Sequence, residues 1–227
     1  MKWRNTKDNT SQKMKSSHGR DKINLLRLEC YNTYMTRMVE NLCREAKRLG
    51  ASEAVHIAAA DIVVDDRALL KCQVPLCSHY GIDLMCPPNV LPASQFREIL
   101  KCYHDAILVK VDIPSGDLRI QSGRPEPRYV DAAKDTRAKL HQIICHLESN
   151  CIEKGRHFAA GFIGGSCPLC DTCVGAKSGL PCSHPFKARP AMEAMGIDVM
   201  STVEKAGLHL SFGNNTERSW IGLVLVA

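Results

Sequence analysis

Long apolar runs are absent from this sequence of 227 residues. No stretch approaches the roughly 18 consecutive apolar residues that a membrane-spanning helix requires, and the N-terminal region contains no apolar segment of the kind found in secretory signals. The sequence therefore predicts neither membrane insertion nor export, and we expect a cytoplasmic protein. Hydrophobic residues make up 44% of the chain, which is enough to build a domain with a substantial core.

The sequence also has little net charge beyond its N-terminal region. The whole chain carries a charge of +6, and residues 1–20 contain six basic residues against Asp8 alone, which leaves +1 for residues 21–227. A domain so close to neutrality has no basic field to attract nucleic acid, so that class of partner is excluded. We predict that residues 1–20 form a disordered basic tail and that residues 21–227 form a single metal-binding domain.

Several motifs with well-understood chemistry are missing. The glycines between Gly161 and Gly165 do not have the spacing of a dinucleotide fingerprint, and no phosphate-loop motif is present. The three-cysteine pattern of radical S-adenosylmethionine enzymes is missing as well. The chemistry of this protein must therefore be sought elsewhere in the sequence.

Cysteine, in contrast, is abundant: the chain has 12, and seven of them fall in two short windows. A disulfide framework is typical of short secreted chains, and this chain is neither short nor visibly secreted. The clustering therefore predicts metal binding. The seven candidate ligands are Cys72, Cys77, Cys86, Cys167, Cys170, Cys173 and Cys182.

The second window favours an iron–sulfur cluster over zinc. It runs Cys167-Pro-Leu-Cys170-Asp-Thr-Cys173, and Cys182 follows. Two successive two-residue gaps let three thiolates of one tight turn converge on an iron–sulfur cubane. Zinc sites more typically use pairs of ligands separated by a longer excursion. We therefore predict a [4Fe–4S] cluster here, with zinc as the alternative metal.

The first window offers three thiolates and leaves a fourth coordination position open. His79, Cys102, a residue from elsewhere in the chain, water or a substrate can fill that position. The division of the cysteines between sites is open as well. In two-cluster ferredoxins the cysteine before a proline ligates the other cluster, so Cys86 can equally complete the second set. The sequence thus predicts one or two clusters.

Periodicity predicts an α/β or α+β fold, with a mixed sheet, flanking helices and two cysteine-rich metal loops in one compact domain. Two long amphipathic helices, two short helices capped by Ser94 and Ser201, and several strands carry this prediction. The helices are expected at about 31–49, 94–103, 129–154, 190–196 and 201–207. The strands are expected at 54–64, 68–71, 106–113 and 157–163, with a loop at 114–127 and a closing hairpin at 208–226.

Specific stretches around both windows resemble the predicted metal-binding proteins grouped as domain of unknown function 2284. The resemblance covers roughly residues 50–227 and includes both cysteine windows and the closing strand. Its stretches are Lys71-Cys72, Pro75-Leu76-Cys77, Tyr80-Gly81, Cys86-Pro87-Pro88-Asn89-Val90, Gly165-Ser166-Cys167 through Cys173, Pro181-Cys182, His184-Pro185, Lys187-Ala188-Arg189-Pro190, Met192-Glu193, Gly196-Ile197-Asp198-Val199 and Trp220-Ile221-Gly222-Leu223-Val224. The resemblance implies a small prokaryotic, cytoplasmic, cysteine-ligated metalloprotein. It implies no particular reaction.

These observations predict a cytoplasmic iron–sulfur protein that transfers electrons to a redox partner protein or carries out redox chemistry on a small-molecule substrate, as an oxidoreductase would. A zinc-binding structural or interaction module, in which the cysteines hold loops onto the core, is the alternative. Delivery of metal or clusters to other proteins is a third hypothesis, which would need an exposed, labile site.

Overall fold

The computed structural model describes residues 31, 33–114, 127–210 and 218–227. The predicted tail at 1–20 and most of the predicted loop at 114–127 lie outside these residues. The chain divides into two units, Met1–Asn41 and Leu42–Ala227. None of the helices in the described part of the chain combines the length and the apolarity needed to cross a membrane.

Five α-helices and four strands make up the regular structure of the described residues, and short 3-10 turns connect several of them. The helices are α1 (33–48), α2 (Leu70–Gln73), α3 (Ala93–Leu100), α4 (Pro127–Glu153) and α5 (Val199–Lys205), and the strands are β1 (Glu53–Ala58), β2 (Asp105–Asp112), β3 (Ala160–Phe162) and β4 (Ser219–Val226). The prediction of helices combined with a sheet is confirmed.

The four strands form one sheet in the order β1-β2-β4-β3, and every neighbouring pair is antiparallel. The α+β form of the predicted fold is therefore the one observed. A parallel contact occurs just beyond β3, where Ile163 bridges to Ala191. This bridge ties the end of β3 to the segment that follows the second cysteine window.

Both faces of the sheet are buried, which explains why the central strands are continuously apolar rather than alternating. On one face, Leu108 and Leu223 belong to a core completed by α3, α5 and the turn around Met195. On the other face lies α4, whose residues Leu140, Ile144 and Leu147 are fully buried. The sheet is thus enclosed between helices, and the loops that leave its ends carry the cysteines.

Close packing between α4 and the sheet depends on Gly222 in β4. A methyl group there would lie 2.9 Å from two side-chain atoms of Ile144 and 3.0 Å from the carbonyl oxygen of Phe162. We expect Gly222→Ala to destabilise the protein by about 1–3 kcal/mol, because overpacking a dense core forces its neighbours to shift. Urea unfolding measures this change, and the double variant with Ile144→Val should recover part of the loss. If the changes in the free energy of unfolding from the two single substitutions simply added in the double variant, the proposed clash would be contradicted.

The structure corrects the sequence interpretation in several places. Ser94 was expected to cap α3, but it lies inside that helix, whose N-cap is Pro92 and has no side-chain capping hydrogen bond. Residues 68–71 were expected as a strand, but they continue from a 3-10 turn into α2, because the Asp65 side chain accepts a hydrogen bond from Arg67 N and caps this segment. The N-cap of α5 is Asp198 rather than Ser201. Residues 208–210 are not a strand, so the expected closing hairpin does not form there; its turn lies outside the described residues.

Candidate metal centre

Cys72, Cys77 and Cys86 line one small cavity of about 130 Å³, which we call the first cavity. Cys72 lies in α2, Cys77 follows it in a turn, and Cys86 is buried at the end of the same loop. Residues from the second half of the chain, including Gly165 and Glu193, complete the wall. The first cysteine window is therefore brought together in space, and a distant segment closes the site.

Backbone hydrogen bonds hold this loop in a series of tight turns. Cys77 N donates to Cys72 O at 3.1 Å, and Gly81 N donates to Pro87 O at 2.8 Å. Gly81 has a φ of +68°, a left-handed conformation that favours glycine. A ring nitrogen of His79, Nδ1, lies 2.6 Å from Asp83 Oδ2. These contacts orient the thiols of the first window towards one volume.

Burial suppresses ionisation of the Cys72 and Cys86 thiols in the first cavity. Desolvation raises the pKa of Cys86 to about 12, with smaller contributions from Asp83, Cys77 and Cys72. Burial likewise raises the pKa of Cys72. A thiolate is the form that binds metal, so a bound cation must supply the compensating charge and loading must release protons.

The second cysteine window lines an adjoining volume of about 240 Å³, the second cavity. Its cysteines are Cys167, Cys170, Cys173 and Cys182. Two of these sulfurs receive backbone hydrogen bonds. His184 N donates to Cys182 Sγ at 3.4 Å. Burial raises the pKa of Cys167, and hydrogen bonds from the backbone N–H groups of Leu169 and Arg189 oppose this rise. Backbone donors of this kind stabilise thiolates and tune the sulfurs of a bound cluster.

A buried ion pair attaches the second window to α4. Arg189 pairs with Glu148, and both side chains are largely withdrawn from solvent. The other carboxylate oxygen of Glu148 accepts a hydrogen bond from Gly161 N in β3 at 3.1 Å. Nearby on α4, His141 Nε2 donates to Lys187 O at 2.8 Å. Helix, strand and cysteine segment are thereby fixed to each other.

The two cavities share part of their walls. His79 and Ser166 line both of them, and Arg137 Nη1 donates to Ser166 Oγ at 2.9 Å. The two loops are also joined directly, because Ala176 N donates to Ile82 O at 2.9 Å. Gly175 makes this approach possible, since a methyl group there would lie 3.2 Å from the same carbonyl oxygen. The two cysteine sets therefore face adjacent volumes within one region of the protein.

A comparison with protein-family models finds a match over residues 55–226 to the family described as predicted metal-binding protein, DUF2284. The chain belongs to this family. The match includes the residues that line both cavities. It also includes all of β2, β3 and β4, and β1 from its third residue onward. Neither the comparison with curated proteins nor that with solved structures finds a match.

Membership of DUF2284 identifies the chain as a predicted metal-binding protein and confirms the resemblance stated from the sequence. The structure groups the seven candidate cysteines three and four to a cavity, in the division that follows their order in the sequence. Cys102, considered above as a fourth ligand, is exposed and is not among the residues that line the first cavity. His79 does line that cavity.

The residues of this DUF2284 chain fit a thiolate-bound metal group by the chemistry of their donor atoms. The four cysteines of the second cavity supply the full thiolate set of a [4Fe–4S] cluster, and the backbone donors to Cys167 and Cys182 suit its sulfurs. Among the described side chains, no three His, Cys, Asp or Glu residues are grouped closely enough to hold a single metal ion.

Sequence reasoning on this DUF2284 protein missed the groups that surround the cysteines. Arg137 and Ser166 line the second cavity, and Glu193 lines the first. Ser166 and Glu193 lie within stretches that carried the family resemblance, which was the one signal available for them. Arg137 lies on a helix whose periodicity gives no indication of a role beside a cavity.

Proposed function

We propose that this protein is a cytoplasmic iron–sulfur protein that carries two [4Fe–4S] clusters and transfers electrons. The observation that carries the proposal is the grouping of seven thiols, three and four, around two cavities that share a wall. Cys72, Cys77 and Cys86 hold one cluster, and Cys167, Cys170, Cys173 and Cys182 hold the other. When bound, each cluster accepts or donates one electron at a time.

The adjacency of the cavities supports a relay rather than two separate structural staples. His79 and Ser166 stand between the cysteine sets, and the Ala176–Ile82 backbone hydrogen bond keeps the two loops together. Two clusters bound in cavities that share wall residues exchange electrons directly, without a separate carrier. The backbone donors to Cys167 and Cys182 stabilise negative charge at the second set and so tune its reduction potential.

Two surface features support an exchange of electrons with other molecules. A third cavity, of about 530 Å³, shares Glu193 with the first cavity and has the size of a small-molecule site. Beside the cysteine segments, Leu76 is 71% exposed and Phe186 is 91% exposed. Large exposed apolar side chains beside both cysteine windows offer contacts for a partner protein. A small-molecule substrate and a redox partner protein are the two electron acceptors or donors that we propose.

Metal analysis under anaerobic conditions tests this function. We expect about eight iron and eight acid-labile sulfide per chain, with a broad visible absorption band that bleaches on addition of dithionite. About four of each would reduce the proposal to one cluster. Zinc at one or two per chain, without a visible band, would overturn it and favour the structural zinc module.

A further inference from the structure

Glu193, one of the residues that line the first cavity, has a carboxyl oxygen that no described residue satisfies. Glu193 lines this cavity, and its Oε2 atom is buried without a hydrogen-bond partner among the described residues. Glu193 lies in the short 3-10 turn Glu193–Met195, whose neighbours Ala194 and Met195 are buried in the core. The turn therefore has little freedom to swing the side chain out to solvent.

The electrostatic surroundings of Glu193 do not compensate a full negative charge. Burial raises the pKa of its carboxyl group, and the backbone N–H groups of Glu193 and Gly165 oppose this rise only in part. The positive charge of Lys71 lowers the pKa of Glu193 by a smaller amount, and no salt bridge joins the two side chains among the described residues. A buried acidic side chain in such a position either stays protonated or takes a cationic partner.

His79 is the competing candidate. Its Nδ1 atom is paired with Asp83 at 2.6 Å, as in many metal-binding histidines, and this leaves Nε2 for a metal. Its side chain is 43% exposed, however, so water can satisfy Nε2 without a metal. Cys102 is exposed and does not line the first cavity. Of the three side chains compared for the open position, Glu193 is the one with a buried polar atom, Oε2, that has no hydrogen-bond partner among the described residues.

We propose that Glu193 supplies the fourth protein ligand, through its carboxylate, to the metal group held by Cys72, Cys77 and Cys86. This inference rests on the proposed iron–sulfur function of the same site. Three irons of that cluster are held by thiolates, and the fourth is held by the oxygen of Glu193. Oxygen is a harder ligand than sulfur and binds iron of a cluster less firmly, so this iron is the most exchangeable of the four.

Iron retention in Glu193 variants tests the assignment. In Glu193→Gln and Glu193→Ala, we expect mild oxidation to remove about one iron from the first cluster at least about tenfold faster than in the wild-type protein, with the EPR signal of a three-iron cluster. Glu193→Cys should restore retention of the fourth iron, because a thiolate replaces the carboxylate. A purely structural role of Glu193 would give no such rescue. The matched control is Glu204→Gln, an exposed carboxylate on α5, which should behave like the wild type.

A spectroscopic measurement on the wild-type protein is a second test of the Glu193 assignment. It does not depend on whether the variants fold. With glutamate labelled by ¹³C at the side-chain carboxyl, we expect a ¹³C coupling to the reduced first cluster in ENDOR spectra. A strong nitrogen coupling that disappears in His79→Ala would overturn the assignment in favour of His79. Normal cluster content with wild-type behaviour of all Glu193 variants would overturn the inference alone, whereas absence of iron and sulfide from the wild-type protein would overturn the proposed function as well.

Discussion

Replacing Cys170 with alanine is expected to lower the iron content from about eight to about four per chain, because a four-thiolate set loses one of its members. Cys170 lines the second cavity and is exposed at its mouth, so the substitution removes a ligand without opening a hole in the core. The first cluster should be retained, since its three cysteines line the other cavity. Iron and sulfide analysis together with EPR of the reduced protein measures the loss.

Cys102→Ala is the matched control for this experiment. Cys102 is also an exposed thiol, but it is not among the residues that line either cavity. We expect the iron content of this variant to equal that of the wild-type protein. Equal losses from Cys170→Ala and Cys102→Ala would contradict the assignment of ligands to the second cavity.

Removing Arg189 is expected to destabilise the protein by about 3–5 kcal/mol, because it leaves Glu148 buried without its counter-charge. Glu148 also accepts a hydrogen bond from Gly161 N, so a displaced Glu148 side chain also weakens a contact with β3. Urea unfolding of Arg189→Ala measures the free energy, and the second cysteine segment should become the first region to exchange its amide hydrogens.

The control for this second experiment is Arg48→Ala. Arg48 pairs with Glu45 within α1, and its side chain is 70% exposed, so its loss should leave the unfolding midpoint nearly unchanged. If Arg189→Ala proved as mild as Arg48→Ala, the pair with Glu148 would not be what fixes the second cysteine segment to α4.

Long elements of this fold could be predicted from the sequence because their patterns are local. The apolar spacing of α4 and the alternating, branched residues of β2 predicted elements at 129–154 and 106–113, close to the observed bounds, Pro127–Glu153 and Asp105–Asp112. The two cysteine windows could be recognised for the same reason, since each set lies within a short segment. The spacing of residues along the chain was sufficient to predict these features, because each of them is built from one continuous segment.

Other features depend on contacts between distant segments. Strand β4 was expected to pair with residues 208–212, but it lies between β2 and β3, a register that no local pattern encodes. The N-cap of α5 was displaced by one turn because Asp198 and Ser201 are both good capping residues, and Asp198 accepts from the backbone of Met200 and Ser201. Glu193 could not be singled out, because its burial arises only when its turn is packed beside Gly165 and Ala191.

The composite wall of the first cavity has a consequence for the order in which the protein is made. Its three thiols leave the ribosome early, whereas Gly165, Ser166 and Glu193 of the same wall are synthesised much later. A nascent chain that ends within α4 therefore displays the thiols of the first window without the enclosure that buries them. Until the remaining third of the chain has been translated, these thiols are open to oxidants and to stray metal ions. Maturation of this site has to wait for the segment that contains Glu193.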